Sequence, residues 1–314
     1  MKKFGILLFS AAVLFSQISC GTTRLVTRKA ETTETVSAET EEETKAETEE
    51  ETRETSAKKN VSAMAYSFEG FTAVDNDQCS IQIDSVEDDE IWGFVINVTL
   101  ENKSSDKTYM FSVDGATVNG VQDDPYFSAE VAAGKKAKES ISFSDLENYG
   151  ITECTDVMLT FQVYDSDNWE SSVVEGETVH VYPFGEENAA AFTRESASTD
   201  QILVDNDSVT VVLIGTEEDE LWGYTVNFYI INKTDANLMC AIDNASVNDY
   251  MADPYFATSI LPGAQKFTGA SWSGETLQES GVETVEYLDF TLRIYNWDDL
   301  EADDLFNESI HVTP

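Results

Sequence analysis

Two histidines, four cysteines and 60 carboxylates are the groups in this 314-residue chain that could move a proton, attack a carbon or hold a metal. Proton transfer needs such a group fixed beside a partner, and imidazole is the commonest choice. His180 in "VHVYP" and His311 in "IHVTP" stand at matching places in two similar segments, where a hydrogen bond at a strand end is the simpler role. The chain contains no GxSxG, HExxH or phosphate-loop pattern, and no GxGxxG between a strand and a helix. No carboxylate pair stands out as an acid and base. The reading is a non-enzyme without a resident cofactor.

Acidic turns offer different chemistry. "DND" occurs at Asp75–Asp77 and again at Asp205–Asp207, while "EDDE" (87–90) and "EEDE" (217–220) each precede a Trp-Gly pair. Calcium takes six to eight oxygen ligands, so convergent loops could use Asp75, Asp77, Asp88 and Asp89, or Asp205, Asp207, Glu218 and Asp219. The DxDxDG spacing is missing, and a solvated turn that discourages edge pairing is the simpler reading. "DPYF" also occurs twice, offering Tyr126 and Phe127, then Tyr255 and Phe256, as candidate ligand contacts. Adjacent aromatics on a strand cannot both point inward, so one of each pair is open to a sugar, a peptide or a protein partner. Packing over the end of a sandwich is the competing reading. Cys79, Cys154 and Cys240 show no CxxC spacing and read as small core residues, with a Cys79–Cys154 disulfide open to an exported protein.

The net charge of −42 repels phosphate backbones and anionic headgroups, which argues against nucleic acid as a partner. At the N-terminus Lys2 and Lys3 precede an apolar run from Phe4 to Phe15, and Ser19 precedes Cys20. That run is short for a spanning helix and suits a signal peptide, residues 1–19. The junction resembles a bacterial lipobox, with Gln17 where Leu is usual. The resemblance implies a lipid on Cys20 and attachment to the extracellular face of the cell membrane. Residues 20–62, rich in Thr and Glu and without aromatics, read as a disordered acidic stalk.

From Val74 the chain repeats itself at Val204. "VDNDQCSIQIDSVEDDEIWGFVINVTL" matches "VDNDSVTVVLIGTEEDELWGYTVNFYI" at ten of 27 positions without a gap. The match resumes in "TVNG" from Thr117 against "SVND" from Ser246, then in "DPYF" and the closing His strands. Within each copy the hydrophobic period is two: Trp92, Phe94, Ile96, Val98 and Leu100 share one face, as do Val157, Leu159, Phe161 and Val163. Shorter strands are expected at Cys79–Ile83, Thr108–Val113, Ala137–Phe143 and Glu177–Val181. Turns are expected at Asp114-Gly115, Asn119-Gly120 and Ala133-Gly134, with one helical turn in "SDLENYG".

About seven short strands per copy predict an all-β protein made of two antiparallel β-sandwiches, at 66–184 and 201–314, joined by a linker at 185–200. The repeated unit resembles immunoglobulin-like extracellular domains of unknown function found in tandem in lipoproteins of Gram-positive bacteria. That resemblance rests on "TVNG" and "SVND", "DPYF", Gly134-Lys135-Lys136 and "DLENYGI", and covers residues 70–183 and 201–314. The second copy departs from it at "GAQK" from Gly263. It implies a lipid-anchored surface protein that displays binding or adhesion units, with extracellular protein or glycan as partner. A spacer without a ligand, or an accessory to an extracellular enzyme, are the alternatives. The oligomeric state is not legible.

Overall fold

The computed structural model describes residues 65–125, 127–219 and 223–313; the predicted signal segment, Cys20, the stalk and Tyr126 lie outside the described residues. Residues 60–314 form one compact unit, and it is mostly β. In its first half run β1 (Phe71–Asp75), β2 (Cys79–Asp89), β3 (Gly93–Asn102), β4 (Tyr109–Val118), β5 (Val121–Gln122), β6 (Ser128–Val131), β7 (Lys136–Phe143), β8 (Val157–Asp165) and β9 (Asn168–Val181). The second half contains β10 (Gln201–Asp205), β11 (Val209–Asp219), β12 (Gly223–Asn232), β13 (Leu238–Val247), β14 (Tyr250–Met251), β15 (Ala257–Ile260), β16 (Gln265–Trp272), α1 (Gly274–Glu279), β17 (Leu288–Asn296) and β18 (Phe306–Val312).

The order β1-β2-β3-β7 recurs as β10-β11-β12-β16, and β5-β4-β8-β9 recurs as β14-β13-β17-β18. Irregularities recur with it. Register shifts fall between Ile83 and Ser85 and between Leu213 and Gly215, and again between Val113 and Gly115 and between Asp243 and Ser246. Asp114-Gly115, expected as a turn, is thus a bulge inside β4: one extra residue bends the strand without ending it. Bulges also explain why β2, β4 and β9 run longer than their hydrophobic alternation predicts, because each bulge breaks the period while pairing continues.

Each half encloses its own core. Ile81, Ile96, Val98 and Leu100 from one sheet meet Phe111, Leu159 and Phe161 from the other; Val211, Val226 and Ile230 meet Cys240, Leu288 and Leu292 in the same way. Trp92 departs from its predicted face and is 61% exposed. It belongs to the β2–β3 turn, where the Asp89 carboxylate accepts hydrogen bonds from the amides of Ile91 and Trp92 at 2.8 and 2.9 Å. Gly93 then takes φ +71°, which re-aims the chain, so the strand alternation begins only at Phe94.

Asn102 and Asn232 are buried at equivalent ends of β3 and β12. The Asn102 amide donates to the carbonyls of Lys107 and Val131, both at 2.8 Å, and its oxygen accepts from Ser104 N at 2.9 Å. Asn232 does the same for Ala236, Ile260 and Leu261 and for Thr234 N. Each stitches its strand to two loops. Asn102→Ala would orphan buried backbone groups and is expected to lower stability by about 2–3 kcal/mol, read by denaturant unfolding; an unchanged midpoint would contradict this role.

Candidate interaction surface

Most repeated polar residues turn out to hold the fold. In the "DND" turns, Asn76 Oδ1 accepts from the amides of Gln78 and Cys79, and Asn206 Oδ1 accepts from those of Ser208 and Val209. Asp75 pairs with Lys103, and Asp205 pairs with Lys233 at 2.7 Å. Asp77 and Asp207 are exposed. Asp88 accepts from the Tyr66 hydroxyl at 2.6 Å, and partial burial together with that bond pushes the phenol well above its ordinary range.

The expected convergence of these turns on calcium is corrected by distance. Asp75 lies opposite Ser80 and Asp77 precedes Cys79 at one end of β2, while Asp88 and Asp89 lie at the other, so eight or more extended residues hold the two groups at least about 25 Å apart. β11 separates Asp205 and Asp207 from Glu218 and Asp219 in the same way. Among the described residues no three His, Cys, Asp or Glu side chains gather closely enough to hold a metal ion.

Cys79, Cys154 and Cys240 are buried and unlinked, so no disulfide joins the first two. Burial pushes the Cys154 thiol up to about 12 and the Cys79 thiol to about 11, which keeps both protonated and unreactive near neutral pH. His180 Nδ1 lies 2.7 Å from Asp156, and His311 Nδ1 lies 2.8 Å from Asp289; each ring packs beside a tyrosine, Tyr182 or Tyr287. Two concavities, about 640 and 1060 Å³, are lined by Tyr66, Phe94 and Cys154 in the first half and by Tyr224, Leu277 and Val285 in the second.

The Asn-Gly and Asn-Asp positions explain "TVNG" and "SVND". Asn119 and Gly120 have φ +52° and +83°, and Asn248 and Asp249 have φ +48° and +69°, the double left-handed geometry of a two-residue hairpin turn. Asn119 Oδ1 accepts from the amides of Thr155 and Asp156, and Asn248 Oδ1 from those of Glu286 and Tyr287. Both asparagines therefore pin the segment that leads into the next long strand.

The two hairpins differ in what covers them. The first docks on the second half: Gln265 N donates to Gly120 O at 2.9 Å, Leu261 N donates to Gln122 Oε1 at 2.8 Å, and Lys266 pairs with Asp124 at 3.0 Å. β5 thereby adds to β16 and joins the halves in a nine-stranded sheet. Tyr149 stacks on Phe267 with ring centres 4.8 Å apart. The connecting segment is pinned there too. Phe192 N donates to Asn119 O, Gln265 Nε2 donates to Phe192 O, and Arg194 makes two bonds to Asp200 at 2.7 and 2.8 Å. A three-residue 3₁₀ turn at Glu186–Asn188 is its helical content. Val121 and Gln122 are consequently buried, whereas their equivalents Tyr250 and Met251 are 53% and 68% exposed.

Of the "DPYF" aromatics, Phe127 is buried and Phe256 packs against Phe228 with ring centres 5.7 Å apart, so both belong to the core. Tyr255 is 93% exposed, although its amide is tied to Ser271 O at 2.7 Å. Tyr250, Met251 and Tyr255 are thus exposed on a backbone tied to β13 at the hairpin and to β16 at Tyr255. Sequence reasoning found Tyr255 but missed Tyr250 and Met251. The available signal was the change from Val121-Gln122 to larger, more apolar residues at a repeated hairpin.

Asp123, beside Asp124 of the docking contact, is a half-buried carboxyl. Burial, then the neighbouring Asp145, raises Asp123 to about 6. The folded state binds this proton more tightly than the unfolded chain, whose aspartates titrate near 3.8. Its contribution therefore falls as pH rises from about 4 to about 6 and is fully unfavourable at pH 7. Asp123→Asn is expected to stabilise the protein at pH 7 by about 1–2 kcal/mol, after allowing for residual solvent contact, and to give no gain at pH 4. Urea unfolding of both forms at the two pH values checks this; an equal difference at both would contradict it.

No protein-family model matches the chain, and no curated protein does. Among solved structures, the YadV chaperone aligns at 8% identity over 69% of this chain and 92% of its own, with a TM-score of 0.23. Red sea bream transglutaminase aligns at 12% identity over 76% of this chain and 31% of its own, with a TM-score of 0.22. At these TM-scores neither likeness bears on the fold or the function.

Proposed function

We propose that this chain is a lipid-anchored cell-surface protein that presents two tandem immunoglobulin-like β-sandwiches as a rigid contact unit. The observation that carries the binding role is the exposure of Tyr250, Met251 and Tyr255, at a hairpin whose first-half equivalent is buried in a contact. Amphipathic tyrosines on a fixed backbone bind with little entropy loss, which suits a protein or glycan surface. The "ISC" junction at Cys20 and the acidic stalk support display away from a membrane. A spacer without a ligand would have no use for that exposure.

Two results test the reading. Cys20→Ser should move the protein from the cell fraction to the medium, and retention on cells would contradict the anchor. Cells displaying Tyr250→Ala/Met251→Ala/Tyr255→Ala should lose adhesion to one another or to immobilised glycans by about tenfold or more. Unchanged adhesion with equal surface levels would remove the binding role.

A further inference from the structure

The contact between the halves shows what this hairpin shape fits. In the first half the turn carbonyl of Gly120 meets the outward amide of Gln265 on β16, and Asp124 meets Lys266. The second-half hairpin has the same turn, with Asp249 in place of Gly120 and Asp253 in place of Asp124. The first-half counterpart of β16 is β7, which among the described residues pairs with β3 alone and ends its sheet. β7 places Lys136 where β16 has Gln265, and Lys138 where β16 has Phe267.

Charge marks the same strand. Nine Lys and Arg residues lie among the described residues. Seven of them stand within 4 Å of a carboxylate: Lys103, Lys107, Lys136, Arg194, Lys233, Lys266 and Arg293. The remaining two, Lys135 and Lys138, flank the start of β7. In a chain with a net charge of −42, Lys138 on β7 and Lys135 just before it have no carboxylate within 4 Å among the described residues, and β7 is the strand that repeats the hairpin's docking strand.

We infer that the Asn248–Asp253 hairpin docks on the β7 edge of a second copy of this chain, in the geometry that already joins the two halves. The aromatic stack of Tyr149 on Phe267 is replaced by attraction between Asp249 or Asp253 and the lysines. Both surfaces lie on different halves, so the contact is heterologous and leaves each added copy with a free hairpin or a free edge. It builds an open head-to-tail series, weakened in dilute solution by repulsion between strongly acidic copies. The inference rests on the reading of the hairpin as a contact surface.

Residues 60–314 contain every described strand and both cores, and so fold as a unit for the test. Sedimentation equilibrium of this fragment from micromolar to near-millimolar concentration should show a rising average mass. Two variants each disable one surface: Tyr250→Asp/Met251→Asp the hairpin, and Lys135→Glu/Lys138→Glu the edge. Each alone should be monomeric, with association weakened about tenfold or more, and unfold at its wild-type midpoint. Mixed together they retain one intact hairpin and one intact edge, and should form a dimer and nothing larger. A wild type that stays monomeric throughout, or assemblies that survive both variants, would overturn the inference. A monomeric wild type combined with lost adhesion in the hairpin variant would leave the contact surface standing and assign its occupant to another molecule.

Discussion

Gly223→Ala is expected to destabilise the second half by about 3 kcal/mol or more, the larger part arising from a close approach of main chain to main chain. Gly223 has φ +77°, and a Cβ there would stand 2.2 Å from the Trp272 carbonyl oxygen and 2.4 Å from Gly274 N. Neither atom is the end of a flexible side chain, so β12 and the end of β16 would have to part. Gly93 repeats the arrangement against Phe143 O at 2.3 Å. Gly150 supplies the control, because it also has φ +82° but has nothing within 4 Å of a built Cβ. Gly150→Ala should therefore cost only the conformational part, about 1–2 kcal/mol. Equal losses for the two variants, measured by denaturant unfolding, would show that the approach does not matter.

The second large effect is expected for Trp272→Ala, at about 3–5 kcal/mol. Trp272 is the bulkiest of the fully buried side chains, and its Nε1 donates to Ala252 O at 2.8 Å. Truncation opens a cavity in the second core and frees the segment between β14 and Tyr255. Trp272→Phe keeps most of the volume and removes only the hydrogen bond, and should recover more than half of the loss. The unfolding midpoint checks both, and accelerated proteolysis near Ala252 in the Ala variant alone would locate the damage. A Phe variant as weak as the Ala variant would place the energy in the hydrogen bond and contradict the packing account.

The paired Trp-Gly motifs were legible as strand openings because the repeat and the two-residue period flank them. Their reason was not. Glycine is required by how near Phe143 O and Trp272 O come, and the sequence does not record that distance. Trp92 read as a core residue because alternation was extended one step past Gly93, whose positive φ breaks it. The calcium reading failed for a geometric cause. "DND" and "EDDE" are near in sequence, but an extended strand turns ten residues of separation into the length of the sheet. The hairpins were recognised from Asn119-Gly120, yet the docking of one and the exposure of the other depend on Gln265, Lys266 and Phe267, about 145 residues downstream. Such a pairing leaves no periodic trace. What remained readable was the difference itself: Val121-Gln122 against Tyr250-Met251, and Lys135-Lys136 against Ala264-Gln265.

Equivalent hairpins and equivalent strands have unequal fates: one pair is joined within the chain and the other is open. Amide hydrogen exchange of residues 60–314 at micromolar concentration tests it directly. The amides of Gln265 and Leu261, bonded across the halves to Gly120 O and Gln122 Oε1, should be strongly protected, while the equivalent amide of Lys136, facing out from the β7 edge, should exchange quickly. Exchange at Gln265 and Leu261 as fast as at Lys136 would mean that the halves are not docked, and would remove the template on which the second contact rests.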